Sequence, residues 1–382
     1  MEIREKAGTH QIIATPAQGL ALRSSAIVAR GLRDLARDSN WLIKKIFSAR
    51  SASLAISASG QVCGVAPVAP HGAECVCIFD IELSVPISTL AVPPDHPAGE
   101  AGLAAAFAYS PTARHLVAAW GAWPAELQVF DLQAKAFLGS FGKFSNLPES
   151  LAWSASGKYL VAGTLGGRES SLRLWEEAAE PRFGLPFAGK PAKELAGLAK
   201  LDELLGTKTA DAESGDIGTF AGFARCAFSP DEGTLATILR VEGEWADDSI
   251  ALLEVPTLRR QHVFQAQGRA TDVAWAYDGK QVIFCSAGQA YRLLADIMEP
   301  EPLPLGAELC ACHPHRPLCL CFSSLLKNSA KGRLFLIDLD RLTVFDECPA
   351  EGVVDLRWSI DGSKAYAVTA DGLAYIYEPP LA

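Results

Sequence analysis

One unit of sequence recurs seven times along this chain, and that recurrence limits the fold more than any other feature. The segments are LAISASGQVCGVA (from Leu54), FAYSPTARHLVAAW (from Phe107), LAWSASGKYLVAG (from Leu151), CAFSPDEGTLATI (from Cys226), VAWAYDGKQVIFC (from Val273), LCACHPHRPLCLCF (from Leu309) and LRWSIDGSKAYAV (from Leu356). Each reads as an apolar strand, a turn rich in Ser, Pro, Asp or Gly, and a second apolar strand. Turn residues of this kind reverse a chain at low conformational cost. The units share an anchor position, held by Ile56, Tyr109, Trp153, Phe228, Trp275, Cys312 and Trp358, at spacings of 53, 44, 75, 47, 37 and 46 residues. A blade of four short strands uses roughly 40–50 residues. The long interval therefore needs an insertion, and the others hold about one blade each.

A third strand ends most units: VCIFD (76–80), LQVFD (127–131), LRLWE (172–176), IALLE (250–254), LFLID (334–338) and AYIYE (374–378), with YRLLAD (291–296) as a weaker match. Outer strands follow at Pro86–Val92, Ala136–Phe141, Arg260–Gln265, Pro302–Leu305 and Arg341–Phe345. The last unit has none of its own. The segment from Asn40 to Phe47 stands before the first unit, where an outer strand belongs, and puts Trp41, Ile43 and Phe47 on one face. Pairing it with the final unit closes a ring and removes the free sheet edges of an open array. The expected fold is all-β: a seven-bladed β-propeller closed by an N-terminal strand. It forms a single domain over 41–379, after an extension at 1–40.

These units resemble degenerate WD repeats, over about residues 41–379. The best local match is Phe228-Ser229-Pro230-Asp231 with Gly233-Thr234-Leu235-Ala236. Trp153-Ser154 with Gly157, Trp275 with Asp278-Gly279, and Trp358-Ser359 with Asp361-Gly362 support it. The Gly-His dipeptide that opens many such repeats is missing, and the Trp-Asp signature survives only as Trp175-Glu176 and looser equivalents. The resemblance implies a propeller and a scaffold for contacts between proteins.

Two segments break the strand pattern. Residues 24–38 read as a short helix capped by Ser24 or Ser25, with Ile27, Val28, Leu32 and Leu35 on one face. In the insertion 188–222, the stretch from Pro191 to Leu205 has Leu195, Leu198, Leu201 and Leu205 at helical spacing, with Gly206 as a stop.

The formal net charge is -10, and no basic groove for nucleic acid is visible, so no nucleic-acid partner is expected. Small acidic groups at Asp202–Glu203, Asp211–Asp216 and Glu242–Asp248 read as solvated loops. The sharper reading makes them a docking surface for a basic partner. The N-terminus lacks the apolar run of a secretory signal, and no stretch of eighteen apolar residues occurs, so no membrane partner is expected. Ten Cys, mostly inside apolar strands, read as free core thiols in a reducing compartment, which points to the cytoplasm.

The densest chemistry is Cys310-Ala-Cys312-His313-Pro314-His315-Arg316-Pro317-Leu318-Cys319-Leu320-Cys321. Paired strands here would put two Cys-x-Cys pairs face to face, and thiolates at such positions can ligate zinc. The spacing is not that of a zinc knuckle, however, and the positions align with ordinary core positions of the other units. Cys310, Cys312, Cys319 and Cys321 are therefore read first as core, with a metal site as the alternative; no metal and no cofactor are expected. No nucleophile elbow and no phosphate loop occur. An enzyme or small-molecule site in the central channel would need inward carboxylates or His at matching positions in several blades, and the anchor columns show none repeatedly. The favoured function is a protein or peptide scaffold, monomeric and part of a larger complex. It would bind on one mouth of the ring, built from the loops before the first strand of each blade and between the second and third. Trp123, Arg168, Trp245 and Lys327 on those loops are the candidate contact residues, because Trp and Arg make efficient anchors.

Overall fold

In the computed structural model, the described residues are 2–6, 9–13, 21–23, 41–45, 54–68, 73–90, 104–120, 124–165, 170–182, 185–187, 190–196, 220–241, 247–294, 299–324 and 332–379. Those from 41 onward build seven antiparallel sheets around one axis, each sheet a blade whose chain moves outward strand by strand. The first strands are Leu54–Ile56, Ala104–Tyr109, Pro148–Trp153, Phe220–Phe228, Ala270–Trp275, Leu309–Cys312 and Val353–Trp358, for blades 1 to 7 in order. Each packs against the first strands of the blades on either side, and blade 7 meets blade 1, so the seven form a closed inner ring. The seven recurring units are thus the inner hairpins, and every anchor is the last residue of a first strand.

Closure follows the expected route. Trp41–Lys45 pairs antiparallel with Leu373–Tyr377, from Trp41 opposite Tyr377 to Lys45 opposite Leu373, and supplies the outer strand of blade 7. Trp41 is 2% exposed and Ile43 packs in the same cluster, between blades 6 and 7. Phe47 lies outside the described residues.

The anchors explain why Trp recurs. Trp153, Trp275 and Trp358 each donate their indole N–H to a carbonyl of the preceding blade: Ala108 at 3.2 Å, Ala227 at 3.0 Å and Ala311 at 2.9 Å. Each acceptor is the residue just before the preceding anchor. A large ring thus fills the gap between two blades while its polar edge satisfies a carbonyl of the inner ring.

The residue after the anchor is Ser in five units. Ser110, Ser154, Ser229 and Ser359 each accept the amide five residues on, at or just before the start of the second strand, at 2.9–3.0 Å, and Ser57 accepts the amide four residues on. Blade 6 breaks the rule with His313, which is 2% exposed. Its Nδ1 accepts the amide of His315 and its Nε2 donates to the carbonyl of Gly362 in blade 7. A Cβ on Gly362, whose φ is +70°, would sit 2.3 Å from the His313 ring, so only glycine fits there.

The outer strands carry a repeated bulge, which leaves Ile87, Leu138, Gln261 and Phe345 without a partner in the register of blades 1, 2, 4 and 6. Bulges of this kind twist an edge strand away from further pairing.

No helix occurs among the described residues. The proposed helix at 24–38 lies outside them, and a three-stranded sheet formed by Glu2–Lys6, Thr9–Ile13 and Ala21–Arg23 stands before it. The helix expected from Pro191 is corrected. Lys193–Ala196 is a strand, paired with Ser171–Leu174 as the outer strand of blade 3. The third strand of that blade is long, Ser171–Arg182, and turns back through Leu185–Phe187 before the chain returns. The exposed edge it leaves gains more from backbone pairing than from a detached helical turn. Leu195 is buried against blade 4, and Arg173 clasps Glu194 at 2.7 Å. Residues 197–219 lie outside the described residues. No helix among those described is long and apolar enough to cross a membrane.

Candidate functional site: the axial mouth

Antiparallel order places the start of every first strand at the same end of the ring as the connection between second and third strands. At this end most of the first strands are distorted in the same way. Registers skip a residue four positions before the anchor in blades 2, 3, 5 and 7, and within Phe223–Cys226 in blade 4. A bulge re-aims the side chains that follow it. The next position, three before the anchor, holds Ala106, Ser150, Arg225, Asp272, Leu309 and Asp355 in blades 2 to 7.

Three of these carry charge. Arg225 and Asp272, in neighbouring blades, approach to 3.9 Å, with 45% of the arginine side chain and 18% of the aspartate side chain exposed. The carboxylate of Asp272 accepts the amide of Cys310 at 3.0 Å, and that of Asp355 accepts the amide of Ile56 at 2.8 Å. Each therefore ties its blade to the next one by capping an N–H on the inner ring. Beside Asp272, the exposed Thr271 hydroxyl donates to the Glu308 carbonyl at 2.6 Å. Arg357, also exposed, stands two residues beyond Asp355 on the same strand.

Burial pushes the Asp272 carboxyl up to about 6, and the negative charge of Asp355 adds to the shift, against the opposing pull of Arg225 and two amides. Burial likewise raises Asp355, against the pull of Arg357, the Ile56 amide and Arg225. These two carboxylates and two guanidiniums come from blades 4, 5 and 7 and act on one another across the axis. The anchor columns, which looked empty of repeated carboxylates, have them three residues upstream. No local pattern marks these positions, because the bulge that turns them arises from strand pairing and not from neighbours in the chain.

A stability effect follows. A carboxyl that ionises near 6 in the folded chain and near 4 in the unfolded one loses its proton first on unfolding. Folded stability from Asp272 is therefore greatest at low pH and declines as pH rises from about 4 to 6. Asp272→Asn keeps an acceptor for the Cys310 amide and removes the charge. At pH 7.5 it should raise the unfolding free energy by about 2–3 kcal/mol, the size that a shift of about two pKa units implies, and it should be neutral at pH 4. Urea titrations at the two pH values test this; an equal effect at both would remove the electrostatic explanation. The same experiment has an opposite background. Burial lowers His313 to about 4, so its contribution is lost as pH falls from 6.5 toward 4.

The same end of blade 4 is held by a buried ion cluster. Asp248 is fully buried, with Arg269 at 3.2 Å, Arg240 at 3.5 Å and the Ala270 amide at 2.9 Å. Arg240 also donates to the Ala270 carbonyl at 2.7 Å. The acidic group at Glu242–Asp248 is thus not wholly a solvated loop: its last member is a structural tie between blades 4 and 5. A carboxylate leaves water only where cations and amides replace it.

The sequence candidates divide as follows. Trp123, Arg168, Trp245 and Lys327 lie outside the described residues, in the connections between second and third strands of blades 2, 3, 4 and 6. Cys310, Cys312, Cys319 and Cys321 are brought together in the interface between blades 5 and 6, with Cys285. Among the described residues no group of three or more His, Cys, Asp or Glu is placed to hold a metal ion.

No family model and no curated protein matches this chain. Solved structures do. One similar chain belongs to hydrazine synthase of Kuenenia stuttgartiensis, at 15% identity and a TM-score of 0.63, covering 88% of this chain and 97% of that one. Another comes from a mitotic checkpoint complex, at 12% identity and a TM-score of 0.61, covering 88% and 94%. At such identities the likeness is one of fold: a seven-bladed all-β propeller.

Proposed function

We propose that this propeller is a protein-interaction scaffold whose axial mouth receives a basic segment of a protein partner. One observation carries the reading. At the starting ends of the first strands, Glu149, Asp272, Glu308 and Asp355 bring four carboxyls together with the two guanidiniums of Arg225 and Arg357. Burial raises the Asp272 and Asp355 carboxyls there, so an incoming lysine or arginine would compensate charge that has lost its water. The overall charge of -10 would steer such a partner toward the ring. The fold shared with a member of a mitotic checkpoint complex fits a scaffold. The candidate contacts Trp123, Arg168, Trp245 and Lys327 belong to connections at this same end and would surround the mouth.

A fluorescein-labelled decalysine peptide is the first probe, with decaglutamate as its counterpart. Decalysine should bind in a salt-dependent way and weaken at least tenfold in the Asp272→Asn, Asp355→Asn double variant. Its binding should also fall as pH drops through 6. Equal binding of the two peptides, or an unchanged affinity in the double variant, would refute the reading. The alternative, a small-molecule or enzymatic site in the same channel, draws on the raised Asp272 carboxyl, since such groups serve as general acids. It predicts turnover of a substrate that Asp272→Asn abolishes.

A further inference from the structure

The interface between blades 5 and 6 is lined with sulfur. Cys285, on the second strand of blade 5, and Cys310, Cys319 and Cys321, on the first two strands of blade 6, are buried; Cys312 is half-buried. The register sets Cys312 opposite Cys319 and Cys310 opposite Cys321. The His313 amide donates to the Leu318 carbonyl at 2.8 Å, which marks 313 and 318 as a hydrogen-bonded pair. Antiparallel pairs alternate, so both cysteine pairs occupy non-hydrogen-bonded positions, where opposite Cα atoms stand about 4.5 Å apart and side chains lean together. A disulfide spans Cα separations of about 4.4–6.8 Å. Both pairs could therefore be bridged by their backbones, but their side chains differ. Cys312 Sγ donates to Cys319 Sγ at 3.7 Å, whereas Cys310 Sγ turns away toward the Ile283 carbonyl at 3.6 Å.

We infer that Cys312 and Cys319 are a thiol pair built to form a reversible disulfide on reaction with a small hydroperoxide. Hydrogen bonds from Cys312 and Cys321, each with its sulfur 3.7 Å away, hold the Cys319 thiol below the usual thiol range against the effect of burial, and so favour its thiolate over that of its neighbours. Cys312, on the solvent side, is the route by which a small oxidant arrives. The Cys319 thiolate attacks one oxygen of hydrogen peroxide; an S–O bond forms, the O–O bond breaks, and the departing hydroxide takes up a proton as water. Cys312 sulfur then attacks Cys319; the S–S bond forms, the S–O bond breaks, and the leaving hydroxide takes the Cys312 proton. Two thiols lose two electrons and two protons, and the peroxide becomes two waters. The bond would staple the two strands at the base of the 313–317 turn, which reaches blade 7 through His313 and through the contact of His315 Nε2 with the Ile360 carbonyl at 3.0 Å.

The full chain, reduced and then desalted, is treated with hydrogen peroxide and afterwards with dithiothreitol. Two of its ten thiols should disappear, with the loss of two hydrogen masses, and return on reduction. Fragment spectra should place the bond between Cys312 and Cys319. Cys310→Ser should leave the reaction unchanged. Cys312→Ser should abolish the bond and leave a Cys319 sulfenic acid that dimedone traps; its circular dichroism, matched to the parent, keeps that loss from being one of folding. A bond mapped to another pair, or thiols that survive peroxide in the folded chain but oxidise in urea, would overturn the inference.

Discussion

Deleting residues 1–48 should convert the closed ring into a protein that unfolds well below the parent or self-associates more than the parent does. The deletion takes away the outer strand Trp41–Lys45 and strips Leu373–Tyr377 of its partner. Two effects add. Trp41 and Ile43 lose their place between blades 6 and 7, a loss of about 3–6 kcal/mol at the usual value of a buried large side chain. A domain's whole stability is only about 5–15 kcal/mol. The stripped strand also becomes an open edge with unpaired amides, which recruits a strand from another copy. Trp41→Ala separates the two, since it keeps the strand and empties its main side chain; it should cost about 3–5 kcal/mol and stay monomeric. Urea titration and light scattering after size exclusion measure both variants. A synthetic peptide of residues 38–48, added to the deleted chain, should restore part of the melting temperature. A deletion that remains monomeric with the parent's melting temperature would show that closure contributes nothing.

The second large effect is expected at Asp248. Its carboxylate answers Arg240 and Arg269 and caps the Ala270 amide from a fully buried position. Asp248→Ala leaves two guanidiniums facing each other across an empty space and an amide without an acceptor. Removing one partner of a buried ion pair costs about 3–5 kcal/mol, because the remaining charge has lost its compensation. Asp248→Asn keeps the acceptor and should recover part of this. The damage should concentrate at the junction of blades 4 and 5, so hydrogen exchange should quicken at Ala266 and Ala270 before the rest of the ring opens. A drop of less than about 1 kcal/mol, the ordinary value of an exposed pair, would mean that water already reaches the cluster. This site bears on the proposed function too, since Ala270 opens the strand that carries Thr271 and Asp272 to the mouth.

The sulfur cluster and the axial mouth share the first strand of blade 6. Cys310 offers its amide to Asp272, while two residues later Cys312 lies against Cys319. The proposed staple between Cys312 and Cys319 would therefore act on the strand to which Asp272 is tied, and so would link oxidation to the proposed binding mouth.

Local chemistry was enough to read the architecture. Strand alternation and turn residues are properties of neighbours in the chain, so the seven hairpins, their anchors and every outer strand but that of blade 3 are legible in the sequence. The closing role of Trp41 and Ile43 was equally legible, because a final unit lacking its outer strand leaves one place for an orphan strand. The helical reading of Lys193–Ala196 failed for a tertiary reason: the long third strand of blade 3 offered an edge, and backbone pairing outweighed leucines at helical spacing. Asp248 looked like one more loop acid until Arg240, eight residues before it, and Arg269, twenty-one after it, were folded around it. Arg225, Asp272 and Asp355 are isolated letters in the chain, 47 and 83 residues apart. Only the closed ring and its bulged inner strands turn them toward one axis, because a site assembled from several blades depends on distances that no local pattern encodes.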